Sequence, residues 1–181
     1  SGYDVKYQVV HAVEFGVPQK RERVIIVGFR KDLNVEFDFP EAVVDSPEKY
    51  VPLSKVIDSD VDDKYFFSQK AVDGMMRNRE SMNKGRAQNV DEPCNTVGAH
   101  LAKVSLNSTD PVLKVDNKYR RFTPREVARI QSFPETFKLT ESEHAQYKAL
   151  GNAIPPVMFW YIMRSVKDSL NSEQKYESIT V

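Results

Sequence analysis

Phe15-Gly16-Val17-Pro18-Gln19-Lys20-Arg21-Glu22-Arg23-Val24-Ile25-Ile26-Val27-Gly28-Phe29 sets a Gln-x-Arg-x-Arg run directly before an apolar stretch. Residues 24–29 form a short apolar run bounded by charge, which reads as a buried strand. Upstream, residues 3–10 alternate, with Val5, Tyr7 and Val9 on one face and Lys6 and Gln8 on the other, the pattern of a second strand. The two strands are expected to pair, with the arginine segment between them. Arginines two residues apart at the start of a strand project to the same side. Arg21 and Arg23 would then stand together at the mouth of a sheet, where polar or anionic ligands bind. The pair by itself also fits an exposed cap on a strand.

The chain has 181 residues, of which 40% are hydrophobic, enough for one domain or one domain with an appendage. Its formal net charge is zero, which excludes a uniformly basic nucleic-acid binder. The charge is segregated, however. Residues 31–63 hold three Lys/Arg against ten Asp/Glu, residues 77–89 hold four against one, and residues 118–129 hold five against one. Basic patches of this kind bind phosphates even on a neutral protein, although a solvated surface accounts for them equally well. A single cysteine, Cys94, rules out an intrachain disulfide and fits a reducing compartment. No long apolar run marks a membrane span, and no secretory leader pattern is present. His11, His100 and His144 lack metal-ligand spacing, so no metal site is expected and each reads as a surface residue.

Residues 31–117 are broken repeatedly by Pro40, Pro47, Pro52, Pro93 and Pro111. Strand-like pieces fall at residues 54–57, 96–97 and 111–115, and residues 75–89 read as a polar, basic loop. The last third is helical. Thr123-Pro124-Arg125-Glu126 is a capping box with proline at the first helical position, and that helix should stop near Phe133-Pro134. Thr140-Glu141-Ser142-Glu143 is a second capping box, with Gly151 ending its helix. Pro155-Pro156 opens a third helix, along which Ile154, Met158, Ile162, Val166 and Leu170 recur every four residues. Residues 171–181 are expected to fray.

Three of these segments, in this order, resemble conserved motifs of DNA (cytosine-5) methyltransferases. The stretch 15–29 is similar to the eighth motif. Arg121-Phe122-Thr123-Pro124-Arg125-Glu126-Val127-Ala128-Arg129-Ile130-Gln131-Ser132-Phe133-Pro134 resembles the ninth, and Ala149-Leu150-Gly151-Asn152-Ala153-Ile154-Pro155-Pro156 the tenth. The resemblance implies a division into residues 1–30, a strand pair from the catalytic domain; residues 31–119, a target-recognition domain; and residues 120–181, a helical return to the catalytic domain. The implied fold class is α+β or α/β: a small mixed recognition domain joined to the C-terminal part of a Rossmann-like, S-adenosylmethionine-dependent sheet with packing helices.

In that family a cytosine is flipped from the duplex, a cysteine attacks its C6, a glutamate supports N3, and S-adenosylmethionine gives its methyl group to C5. The resemblance makes Arg23 the residue that reaches the flipped cytosine and its phosphate, where a fixed guanidinium favours developing charge. Arg21 is its companion, positioning the loop, and Gln19 helps hold the backbone. Asn152 and Ala153 would lie at the methionine end of the cofactor, with Gly151 supplying a left-handed conformation at the helix end; the same turn also fits an ordinary helix–turn–helix junction. Thr96-Val97 would lie against DNA near the flipped base. Sequence readout is expected from Arg77, Arg79, Lys84, Arg86 and Gln88, and phosphate contact from Arg121. Arg121, Arg125 and Arg129 recur every four residues, so the ninth motif reads chiefly as a brace and secondarily as a phosphate contact.

Pro93-Cys94-Asn95 mimics the family's Pro-Cys-Gln nucleophile but follows the eighth motif instead of preceding it, and fits the recognition region's Pro-x-x-Thr pattern. The chain contains no Pro-Cys-Gln, no Glu-Asn-Val and no Gly-x-Gly cofactor loop. The expectation is therefore a piece that recognises double-stranded DNA and completes part of an active site, inactive alone, in a bacterial, cytoplasmic, nucleoid-associated restriction–modification enzyme. Its partner would be the missing N-terminal catalytic region or a complementary subunit. Two other readings stay open: a non-catalytic DNA-binding subunit of a split enzyme, and a fragment that binds neither DNA nor partner strongly.

Overall fold

The computed structural model describes residues 2–77, 87–103, 110–139 and 142–179. Strand β1 (Tyr3–His11) pairs antiparallel with β3 (Glu22–Arg30), with Tyr7 opposite Ile26 and Val9 opposite Val24. A 3-10 turn (Ala12–Phe15) and the two-residue β2 (Gln19–Lys20) lie between them. Gly16 closes the turn at φ 76°, a left-handed conformation that glycine adopts without a Cβ penalty.

The alternation of β1 is as expected, but its consequence is not. Val10 is buried, while Tyr3, Val5, Tyr7 and Val9 are exposed together with Val24 and Ile26 of β3. Residues 24–29 are thus not the buried strand that their composition suggests; they alternate too. Among the described residues only one face of the pair is covered. There Val10, Ala12, Phe15 and Val17 pack with Met158 and Ile162 of helix α4 (Pro156–Ile179), flanked by Ile25 and Val27. The four-residue stripe is fully buried at Met158 and Ile162; Ile154 precedes α4 and is exposed, and Leu170 is exposed further along the helix. The helix continues to Ile179 instead of fraying at residue 171.

A larger core forms from the rest of the chain. Leu53, Cys94, Val97, Leu101 and Leu113 pack with Phe122, Val127, Ala128, Ile130, Tyr147 and Leu150. Residues 54–57 are not a strand: Leu53–Lys55 is a 3-10 turn that sinks Leu53 into this core, its backbone held by Glu92 O and Val90 O. Helix α1 (Gln69–Arg77) occupies the start of the segment read as a loop. Strand β4 is Cys94–Asn95, two residues before the expected position, and runs parallel to β2. The hairpin β5 (Leu113–Val115) and β6 (Lys118–Arg120) follows.

Helix α2 (Pro124–Ile130) opens with the expected capping box: Thr123 Oγ1 accepts from Glu126 N, and Glu126 accepts from Thr123 N at 2.7 Å. Helix α3 (Glu143–Asn152) is capped by Ser142, whose extended backbone lets its hydroxyl accept from Ala145 N; Thr140 of the expected capping box lies outside the described residues. Glu126 does more than cap. It forms a two-pronged ion pair with Arg120, at 2.7 and 2.8 Å, with both side chains essentially inaccessible, and also accepts from Asp58 N. Arg129 reinforces the same corner by pairing with Asp58 and Glu135.

Removing one member of a buried pair strands the other without water. Glu126→Ala should therefore lower unfolding free energy by about 3–5 kcal/mol in urea titrations, and the double change Arg120→Met/Glu126→Leu should recover only part of it, because Thr123 N and Asp58 N still lose their acceptor.

Candidate active-site framework

Pro18 and Gln19 leave the turn buried, and β2 brings Gln19 opposite Cys94. This register puts the Gln19 amide beside residue 97. Gln19 Oε1 accepts from Val97 N at 3.0 Å, while Gln19 Nε2 donates to Gln131 Oε1 at 3.0 Å. Gln131 Nε2 in turn donates to Leu150 O at 2.6 Å. Arg21 completes the arrangement, donating to Val97 O at 3.2 Å and to Gly151 O at 3.1 Å. The three motif segments and the turn after β4 therefore close into a ring of buried hydrogen bonds.

Arg21 is a buried cation, only 3% exposed. Among the described residues it is bonded to backbone carbonyls and to no carboxylate, and its Nε has no hydrogen-bond partner. Burial first, and the neighbouring Arg23 second, push its guanidinium down to about 10, still charged at neutral pH. Its charge is met by the negative ends of two carbonyl dipoles. Arg23 is more accessible, lies on the Ile25 side of β3, and donates to the adjacent Glu22 O. The two arginines thus differ: Arg21 is internal and holds two remote carbonyls, whereas Arg23 is partly exposed and bonded only to its neighbour's carbonyl among the described residues.

Gly151 does not end α3, and it has no left-handed backbone; Asn152 is the last residue of that helix. What glycine provides is close approach. A Cβ there would collide with the backbone of Gly98 and Ala99, so its absence lets the turn after β4 touch the end of α3. Asn152 is exposed beyond this contact, and Ala153 is partly buried. Ser132, at φ 65°, accepts from Val157 N and so sets the start of α4.

On the other side of the ring, Thr96 is exposed and its hydroxyl donates to Lys20 O at 2.9 Å. Val97 does not share that surface: its side chain lies in the core and both its backbone polar groups are engaged. Gln88 Oε1 accepts from Asn95 N. Arg77 is the last residue of α1, while Arg79, Lys84 and Arg86 lie outside the described residues. Arg121 is not on α2. Its guanidinium pairs with Glu143, reaches Ala102 O and lies over the Tyr65 ring. Arg125 donates to Phe137 O. Bracing is what these arginines do within the chain.

Cys94 is fully buried, and burial pushes its thiol well above the ordinary range, the opposite of an activated nucleophile. No group of three metal-ligating side chains occurs, and no helix is long and apolar enough to cross a membrane, among the described residues. Gln131 and Arg120 were not distinguished by sequence pattern alone. The usable signal for Gln131 was its spacing of four from Val127, which places an amide on the buried side of a helix and demands partners.

Gly151→Ala should cost about 1–3 kcal/mol of stability by forcing the Gly98 and Gly151 backbones apart. The same replacement at Gly2, where a Cβ meets nothing, should be silent in the same thermal and urea unfolding measurements.

The family model for C-5 cytosine-specific DNA methylases matches residues 1–168. The Type II methyltransferase M.FnuDI of Fusobacterium nucleatum is 34% identical, covering 97% of this chain and 58% of its own length. M.NgoPII of Neisseria gonorrhoeae is 32% identical, with 93% and 57% covered. The chain therefore spans little more than half the length of these relatives. Among solved structures, the Dnmt2 methyltransferase of S. pombe superposes with a TM-score of 0.71 at 17% identity, covering 94% of this chain and 59% of that one. The Entamoeba histolytica methyltransferase EhMeth gives 0.67 at 18% identity. The fold is that of these methyltransferases, and the chain belongs to the C-5 cytosine-specific DNA methylase family.

Proposed function

We propose that this chain recognises a DNA sequence and supplies part of the active site of an enzyme that moves a methyl group from S-adenosylmethionine to C5 of cytosine, in a restriction–modification setting in the bacterial cytoplasm. The observation that carries this reading is the contrast between the two arginines. A fully internal Arg21 anchors the loop, and an accessible Arg23 stands beside it, where a guanidinium would stabilise charge on a cytosine ring. Thr96, whose hydroxyl donates to Lys20 O, would lie on the DNA side, and Asn152 and Ala153, next to Gly151, on the cofactor side. Asn152 is exposed, and its amide both donates and accepts, which suits the amino-acid end of S-adenosylmethionine. The chain's residues would bind and orient; the methyl group and its electrophilic carbon come from the cofactor.

Residues 31–119 would carry the recognition domain, with Arg77, Arg79, Lys84, Arg86 and Gln88 reading base edges. Residues 1–30 and 120–181 would belong to the catalytic domain. Arg121, already paired with Glu143, would contribute to phosphate contact only by exchanging that partner. The nucleophile, the glutamate and the glycine loop would come from a complementary methylase segment. The open apolar face of β1–β3, with Tyr7 76% and Ile26 69% exposed, and Trp160 and Met163 on α4 support docking of such a segment.

Two outcomes follow. The chain alone should incorporate no labelled methyl group into mixed-sequence DNA. Mixed with the part of M.FnuDI that this chain does not match, it should gain activity; incorporation by the chain alone that disappears in Cys94→Ser would overturn the assignment. In the assembled enzyme Arg23→Ala should lower the methylation rate about 100-fold while leaving DNA affinity nearly intact. Lys20→Ala, which removes an exposed pair with Glu92, should do little, and equal small effects from both would reduce Arg23 to surface charge.

A further inference from the structure

We propose that Gln131 is a positioning residue that ties the turn at Thr96 to the turn at Asn152, so that occupation of one turn changes affinity at the other. The assignment of the first turn to DNA and the second to cofactor rests on the function proposed above. The tie itself rests on geometry.

The two turns are joined by two straps. Arg21 is the direct one, holding Val97 O and Gly151 O on a single guanidinium. The other runs from Val97 N to the Gln19 amide, across to the Gln131 amide, and on to Leu150 O. The straps share Val97 at one end and the adjacent Leu150 and Gly151 at the other, and Gln19-Lys20-Arg21 joins them midway. Gln19 and Gln131 are both wholly inaccessible, so water cannot replace a broken bond within the ring. An amide is the required group at both positions, because each side chain donates with one end and accepts with the other. Leucine at residue 131 would keep the packing and break the strap at two points. With Gly98 and Gly151 in backbone contact, a shift at one turn has no slack in which to be absorbed. A contiguous hydrogen-bond network between rigid turns is the physical form that coupling between sites takes.

Gln131 is not hydrogen-bonded to Val97, so an effect at that amide is relayed through Gln19. In the full chain, Gln131→Leu should speed hydrogen exchange at the Val97 amide by about fivefold or more, the size of one lost neutral hydrogen bond. Tyr147→Phe is the control. It removes the hydroxyl's bond to Phe122 O from the same core without touching the ring, and should leave Val97 unchanged. In the assembled methylase, the affinity for duplex DNA should differ about fivefold or more with and without S-adenosylmethionine. That ratio should fall to one in Gln131→Leu and persist in Tyr147→Phe. Unaltered Val97 exchange in Gln131→Leu, equal acceleration in both variants, or a ratio that survives Gln131→Leu would overturn the proposal. Binding of both ligands with a wild-type ratio of one would sink the coupling alone. Failure of the assembled wild type to bind either ligand would sink the functional reading along with it.

Discussion

A guanidinium enclosed by protein, without a carboxylate among the described residues to neutralise it, constrains everything around Arg21. A charge in a low-dielectric interior is tolerated only if strong dipoles converge on it. Here the dipoles are the carbonyls of Val97 and Gly151, which lie 76 and 130 residues away in sequence. The chain must therefore bring the turn after β4 and the end of α3 to one place. Two glycines make that possible sterically, and the Gln19–Gln131 amide pair uses the remaining polar groups. Arg23, two residues on, is left accessible because Arg21 has already closed the loop beneath it.

A second polar clasp holds the other side of the larger core. Arg120 and Glu126 are buried together, and Glu126 also caps α2 and accepts from Asp58. Arg129 extends the clasp to Asp58 and Glu135. One clasp thus ties the 58 region to α2, while the ring ties β2 and β4 to α2 and α3. Between them the apolar residues pack tightly, Tyr147 included, its hydroxyl bonded to Phe122 O. These contacts fix the turn after β4 and the end of α3 in the same core.

The smaller core is different in character. The β1–β3 pair is covered on one face by α4 and uncovered on the other. A two-stranded sheet gains little stability from its own hydrogen bonds, so its position depends on Met158 and Ile162 beneath it. The apolar residues on its outer face have no folding role among the described contacts, which is why they fit a docking surface better than a core.

Much of the local structure was written in adjacent residues. The alternation of β1, the Thr123–Glu126 capping box and the Pro156 helix start each depend on neighbours a few positions apart, where backbone sterics and capping chemistry decide the outcome. The family was legible for a related reason: three ordered motifs are themselves local patterns. What sequence could not decide was which face of a strand is covered, since period-two alternation is the same whether the apolar side meets a helix or solvent; Val24 and Ile26 are exposed on that account. Spacing alone did not separate the two arginines of the Gln-x-Arg-x-Arg run, which only the family resemblance distinguished; the burial of Arg21 depends on carbonyls contributed by remote turns. Gly151 likewise suggested a backbone conformation, when its reason is the proximity of Gly98. Gln131 and Arg120 acquired their meaning only when distant partners arrived, because a buried polar group is defined by what satisfies it, and that is a property of the tertiary structure alone.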